Sequence, residues 1–173
     1  MHSHPFGFRI AQAVGISGAA WLAGNIAGLS TIVTPALIKS HKDDQPPSGL
    51  LAKQWRNLYE NGKSRNPPVA ANVTAAFLYL AWSVRSGSSL SRKTPLSRSG
   101  LFSAAAVLTL GIVPFTFVAM SNTNNSLLER CETSKVVSEE ETVDLIEHWT
   151  NLNQIRGLLP LLGGLCGIAA SFL

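Results

Sequence analysis

The sequence predicts an all-α fold: a four-helix transmembrane bundle with a short amphipathic helix in the first loop and a long, extended fourth helix. Three observations predict it. Residues 10–38, 66–84, 99–128 and 157–173 carry no charged side chain, and about 20 apolar residues suffice to cross a bilayer core as a helix. Only 14% of residues are charged and 46% are hydrophobic, with mean hydropathy +0.19, whereas soluble domains carry about 25% charged residues. The charges gather in short loops beside the apolar runs, where Lys and Arg are expected at membrane boundaries. The expected organisation is a single integral membrane domain over 1–173, with spans at roughly 8–38, 67–84, 99–120 and 149–172.

The first helix should run from about Phe8 to Ile38, with Trp21, Asn25 and Gly28 on one face at i, i+4 and i+7. Gly24 and Gly28 form a GxxxG pattern suited to close helix packing, and Pro35 is expected to bend or end the helix. The first loop opens polar, and its "LLAKQWRNLYENGKS" segment puts Leu51, Trp55, Leu58 and Tyr59 on one face. That is the short amphipathic helix, placed on the membrane surface or folded over the bundle mouth, with Gly62 expected to end it. Pro67 and Pro68 should open the second span, because a first helical turn has no use for their missing N–H groups. The third span carries Pro114. Ser138 and Glu141 form a capping box, and Glu139 to Glu141 complement the positive end of a helix. One helix is therefore expected from about 138 to 171, its first half amphipathic and its second half spanning.

Several function classes recede on this pattern. The net charge of +4 comes from membrane-flanking Lys and Arg, so no nucleic-acid partner is expected. The first apolar run is too long for the core of a signal peptide and reads as a retained helix. Cys131 and Cys166 fall in a loop and a span, so no disulfide framework is expected. No Gly-rich phosphate loop, nucleophile elbow, CxxC or HExxH occurs in the sequence. Arg9, Arg85, Arg92, Lys93 and Arg98 lie close to span ends, which favours cytosolic termini. Four short spans without an inverted repeat argue against a transporter.

Arg156 is the ionisable residue placed at membrane depth, where insertion costs roughly 2.5–3.5 kcal/mol and marks a functional candidate. Trp149, Asn153, Arg156 and Pro160 share one helical face. Pro160 has no N–H for the Arg156 carbonyl, so the stripe offers an aromatic wall, an amide, a cation and a bare acceptor. The plainer alternative is an arginine snorkelling to the headgroups. Asn25 and Asn72 read equally as inter-helix hydrogen-bond glue, Trp55 and Tyr59 as interfacial anchors, and Asn124-Asn125-Ser126 as a glycosylation sequon. Glu141, Asp144 and His148 share a face and form a weak metal candidate. His148 alone, near the mouth, suits a proton acceptor.

The stretch "WTNLNQIRGLLP" resembles the W-x-x-x-N-x-x-R signature of a small four-helix membrane family that includes the fungal anthrone oxygenases. "YENGKSRNPPVAA" is similar to that family's Y-x-x-G…P…A stretch, and "VPFTFVAMSNTNNSLLE" to its P-[FW]-T…T-N-x-x-L stretch. Asn122 stands where the family pattern has a proline.

The resemblance covers nearly the whole chain and implies oxidation of an anthrone to an anthraquinone with O2, in polyketide biosynthesis and without metal or flavin. Such a reaction removes a proton from the CH2 between the rings and passes an electron from the enolate directly to O2. The base would be His148, with Tyr59 as the alternative. Arg156 and Asn153 would stabilise the enolate oxygen and the developing peroxide. Trp149 and Trp21 would stack on the rings, and Asn25 and Asn124 would orient phenolic hydroxyls. Anthrone, O2 and the lipid bilayer are the expected partners, with a homodimer permitted by the Gly24/Gly28 and Gly163/Gly167 faces. The expected location is the endoplasmic reticulum membrane. The competing reading is a non-enzymatic four-helix membrane scaffold for a biosynthetic pathway.

Overall fold

A computed structural model describes residues 5–45, 49–91, 97–132 and 138–173, and every regular element among them is helical. Helix α1 (Phe6–Gly28) passes through a π turn (Leu29–Val33) into α2 (Thr34–Asp44). Helix α3 spans Leu50–Ser83. Helices α4 (Arg98–Leu110) and α5 (Ile112–Phe115) lead through a second π turn (Thr116–Met120) into α6 (Ser121–Glu132). Helix α7 spans Glu139–Phe172. The result is four long helical rods, the all-α, four-helix class expected. Phe6–Asp44, Arg98–Glu132 and Glu139–Phe172 are long and apolar enough to cross a membrane. They expose large apolar side chains such as Val107, Phe117, Val118, Leu158 and Leu165, which suits a lipid-facing wall. The expected spans 8–38, 99–120 and 149–172 fall within these rods, and 67–84 overlaps α3 up to its end at Ser83. Arg92 and Lys93 lie outside the described residues.

Two details differ from the sequence reading. The amphipathic segment is the N-terminal half of α3, which runs through Gly62, Pro67 and Pro68 without ending. The prolines remove donors for the carbonyls of Lys63 and Ser64, and both residues are exposed, so solvent can take those acceptors. Asn72 Nδ2 donates to the Pro68 carbonyl at 2.8 Å. The third rod likewise continues past Met120 to Glu132, because the polar "SNTNNSLLE" segment packs its Thr123, Asn124 and Leu127 inward.

The chain divides into two compact units. The first comprises Met1–Ala23, Asn66–Ile112 and Leu158–Leu173; the second comprises Gly24–Arg65 and Val113–Gly157. The first is centred on three phenylalanines. Phe102 meets Phe8 edge-on at 6.4 Å and stacks on Phe77 at 6.5 Å. Gly15 and Gly167 make room for Phe77, since a Cβ there would lie 2.8 and 2.5 Å from its ring. Gly163 sits similarly against Thr109 and the Ala105 carbonyl. Gly163 and Gly167 are therefore filled from within the unit, whereas Gly24 and Gly28 have open space beside them. Arg98 is buried and donates from Nε to the Ala170 carbonyl at 3.1 Å, serving one of the acceptors left over at the end of α7.

The second unit has its own core of Leu51, Trp55, Met120, Leu127, Val143, Ile146 and Trp149. The amphipathic face of α3 is thus spent on this core. Helix α7 opens as its sequence predicts, with the Glu141 N–H donating to Ser138 Oγ at 3.4 Å.

Candidate active site

Trp149, Asn153 and Arg156 of the α7 stripe lie in the second unit. Trp149 is 2% exposed and Asn153 is 0% exposed, as helical spacing from a buried position requires. Asn153 is the hub. Its Nδ2 donates to the Ile26 carbonyl at 2.9 Å and to Ser30 Oγ at 2.7 Å. Its Oδ1 accepts from Arg156 Nη2 at 2.6 Å. Arg156 Nη1 donates to Thr116 Oγ1 at 3.0 Å. Arg156 Nε is buried without an acceptor, and none of the ion pairs among the described residues includes Arg156.

The contacts rest on close backbone approach. A Cβ on Gly157 would lie 3.2 Å from Ile26 Cγ2 and 3.6 Å from the Ala27 nitrogen. Glycine there lets α7 come near enough for Asn153 to reach the main chain of α1. Next to this contact Thr150 Oγ1 lies 2.9 Å from Thr34 Oγ1. The two π turns bracket the site. Leu29–Val33 carries Ser30, and Thr116–Met120 begins with Thr116. Such turns are rare and concentrate at functional sites. Each lies beside a proline, Pro35 in one rod and Pro114 in the other, and both rods continue past it.

An aromatic group adjoins the stripe. Trp55, 0% exposed, stacks on Tyr59 at 5.0 Å and meets Trp149 edge-on at 5.8 Å. Tyr59 is half-buried and close enough to Arg156 for an electrostatic interaction. Trp149 Nε1 donates to Asn124 Oδ1 at 3.0 Å.

Of the residues singled out from the sequence, Tyr59, Asn124, Trp149, Asn153 and Arg156 are drawn into this network. His148 is exposed, one residue off the inward stripe. Trp21 belongs to the first unit and is 46% exposed. Asn25 is half-buried in the second. Asn124 is buried in α6, so the sequon is not presented at the surface. Among the described residues no three His, Cys, Asp or Glu side chains are placed to share a metal ion. The Glu141, Asp144 and His148 grouping is therefore not assembled; Glu141 pairs with Arg130 at 2.9 Å.

Sequence reasoning missed Ser30, Thr116, Trp55's burial and the Ile26 carbonyl. Thr116 had a signal, as the threonine of "PFT". Ser30 had none, because its role depends on a chain segment more than a hundred positions away.

Comparison with known proteins settles the family. Residues 55–166 match the family described as Anthrone oxygenase. Anthrone oxygenase encC of Aspergillus fumigatus is 37% identical over 172 residues, covering 91% of this chain and 90% of that protein. The chain belongs to the anthrone oxygenase family. An anthrone oxygenase of Claviceps purpurea is 30% identical over 159 residues, covering 89% of this chain and 84% of its own length. A noranthrone monooxygenase of Aspergillus flavus is 29% identical over 165 residues, covering 90% and 73%. No solved structure matches the chain. As an anthrone oxygenase family member the chain is an enzyme, an oxidoreductase of the monooxygenase type. The matched segment takes in Trp55, Tyr59, Thr116, Asn124, Trp149, Asn153 and Arg156, leaving only the α1 side of the site outside it. Chemically, the arrangement pairs a cation that has no carboxylate partner among the described residues with an amide, a phenol and flat aromatic rings, a set suited to stabilising an oxyanion on an aromatic ligand.

Proposed function

We propose that this enzyme oxidises an anthrone to an anthraquinone with O2 in polyketide biosynthesis, without a cofactor, as a single membrane domain that crosses the bilayer with four spans in the endoplasmic reticulum. The observation that carries the reading is Arg156: a cation without a carboxylate partner among the described residues, tied to Asn153 and Thr116, with Nε still lacking an acceptor. A cation in that setting favours an anionic ligand, and the names of the relatives supply its class.

The steps balance with O2 as the oxidant. Tyr59, reacting as the phenolate beside Arg156, accepts the proton from the CH2 between the rings and becomes the phenol. His148, exposed near the mouth, is the second candidate. The enolate oxygen is held by Arg156 and Asn153. One electron passes to O2, giving a substrate radical and superoxide, and their recombination forms the C–O bond of a peroxide. Loss of the remaining C–H proton with cleavage of the O–O bond releases water and leaves the second quinone carbonyl. Trp149 forms the aromatic wall beside the substrate, with Asn25 and Asn124 as further substrate contacts.

The test is oxidation of emodin anthrone under 18O2 by purified, EDTA-treated protein. One 18O atom in each quinone, at a rate above the spontaneous reaction, supports the proposal. A rate equal to the blank, or a rate abolished by EDTA and restored by a metal, overturns it.

A further inference from the structure

The Pro-Phe-Thr stretch at 114–116 has no part in the steps above, yet its threonine touches the guanidinium. We propose that Thr116 and Ser30, each carried on a π turn, are positioning residues that lock Arg156 and Asn153 into one unit and leave the Arg156 Nε edge as the donor for the substrate oxygen. This inference rests on the oxygenase reading and names the part of the guanidinium that meets the substrate.

The geometry carries it in three steps. Arg156 spends Nη1 on Thr116 and Nη2 on Asn153. Its Nε–H is buried and has no acceptor, and a buried donor left unmade is costly, so such a group is poised for a partner that arrives later. Asn153 in turn is held by Ser30 Oγ and the Ile26 carbonyl. Both hydroxyls sit on π turns in different rods. An inserted residue rotates the later turns of its rod by about 100° relative to an unbroken α-helix. Two such insertions, each meeting the same Asn–Arg pair, fix it from opposite ends. The orphaned edge offers a donor to one oxygen and, with an unspent Nη hydrogen, to a second beside it. A carbonyl flanked by a phenolic oxygen on the adjacent ring presents that pair.

The experiment uses the full chain in detergent with two readouts, kinetics with 1,8-dihydroxyanthrone and binding of 1,8-dihydroxyanthraquinone followed by difference absorbance. Thr116→Val removes the acceptor and keeps the shape; Thr116→Ser keeps the acceptor. The expected result is a roughly ten- to hundredfold fall in kcat for Thr116→Val with little change in KM, recovery in Thr116→Ser, and weaker quinone binding in Thr116→Val alone. Ser30→Ala should show the same pattern with a smaller loss, since the Ile26 carbonyl still holds Asn153. Wild-type kcat and binding in Thr116→Val, or equal damage from Val and Ser, overturns the inference. If wild-type protein oxidises no anthrone, the oxygenase reading falls by itself. Quinone binding then decides this inference: binding weakened by Thr116→Val and restored by Ser upholds it, and unchanged or absent binding overturns it.

Discussion

Replacing Asn153 by Asp isolates the electrostatic role of Arg156, because it changes charge at nearly constant shape. Asn153 Oδ1 already accepts from Arg156 Nη2 at 2.6 Å, so the new carboxylate inherits that contact as an ion pair. The fold should survive. The two donations to Ile26 and Ser30 are lost; Ser30 can turn its hydroxyl to donate instead, while the Ile26 carbonyl is left facing a carboxylate oxygen, at a cost of about 1–3 kcal/mol that the new ion pair offsets. The effect on chemistry is larger. An oxyanion on the Nε edge of the guanidinium would sit roughly 6.5 Å from the carboxylate, and two like charges at that distance repel by about 2.6 kcal/mol at an effective dielectric of 20. That corresponds to a fall of nearly a hundredfold in kcat, at about 1.4 kcal/mol per factor of ten. The assay is quinone formation from emodin anthrone at saturating substrate, with the melting temperature of the detergent-solubilised variant measured in parallel. An Asn153→Asp protein that melts near wild type and turns over like wild type would refute the argument, since Arg156 could then be neutralised without consequence.

Other predictions concern the supports of the site. Gly157→Val places methyl groups against Ile26 and the Ala27 backbone, where a Cβ alone would be 3.2 Å from Ile26 Cγ2. It should cost at least a tenfold loss of kcat, by the sensitivity of catalysis to small displacements, with retained helicity by circular dichroism. Trp149→Phe removes the donor to Asn124 and the edge contact with Trp55. It should lower stability by about 1–3 kcal/mol in detergent unfolding, the cost of an orphaned buried polar group. Tyr59→Phe should reduce kcat by roughly a hundredfold, as for loss of a general base, while His148→Ala, at an exposed position, should stay near wild type; the reverse outcome would move the base to His148.

Much of the architecture was legible because it depends on short-range rules. The capping box at Ser138 and Glu141 placed the start of α7 within a residue of where it begins. Four charge-free runs gave four rods. Its charge at membrane depth picked out Arg156, and helical spacing put Trp149 and Asn153 on the same face. Arguments from proline and glycine fared worse. Pro67, Pro68 and Gly62 suggested a boundary, but α3 continues because the abandoned carbonyls lie on its exposed side. Pro35 is expected to bend or end its helix, but the rod continues through a π turn beside it. The same limit governs the site. Asn124 reads as a sequon residue or a group orienting phenolic hydroxyls, and its partner is the Trp149 indole, 25 positions along the chain. Ser30 and Thr116 gain meaning only once Asn153 and Arg156 lie beside them. His148 looked well placed by proximity to Trp149, yet adjacent residues on a helix point about 100° apart, and burial of Trp149 turns His148 outward.

The most direct test compares wild type with Arg156→Ala. Purified full-length proteins, treated with EDTA, are mixed with emodin anthrone in air-saturated buffer, and quinone absorbance is recorded against a protein-free blank. The expected result is wild-type acceleration that survives chelation and falls to the blank rate in Arg156→Ala, with the variant still folded. Equal rates in wild type and a folded Arg156→Ala would contradict a catalytic guanidinium and return Arg156 to the role of a membrane anchor.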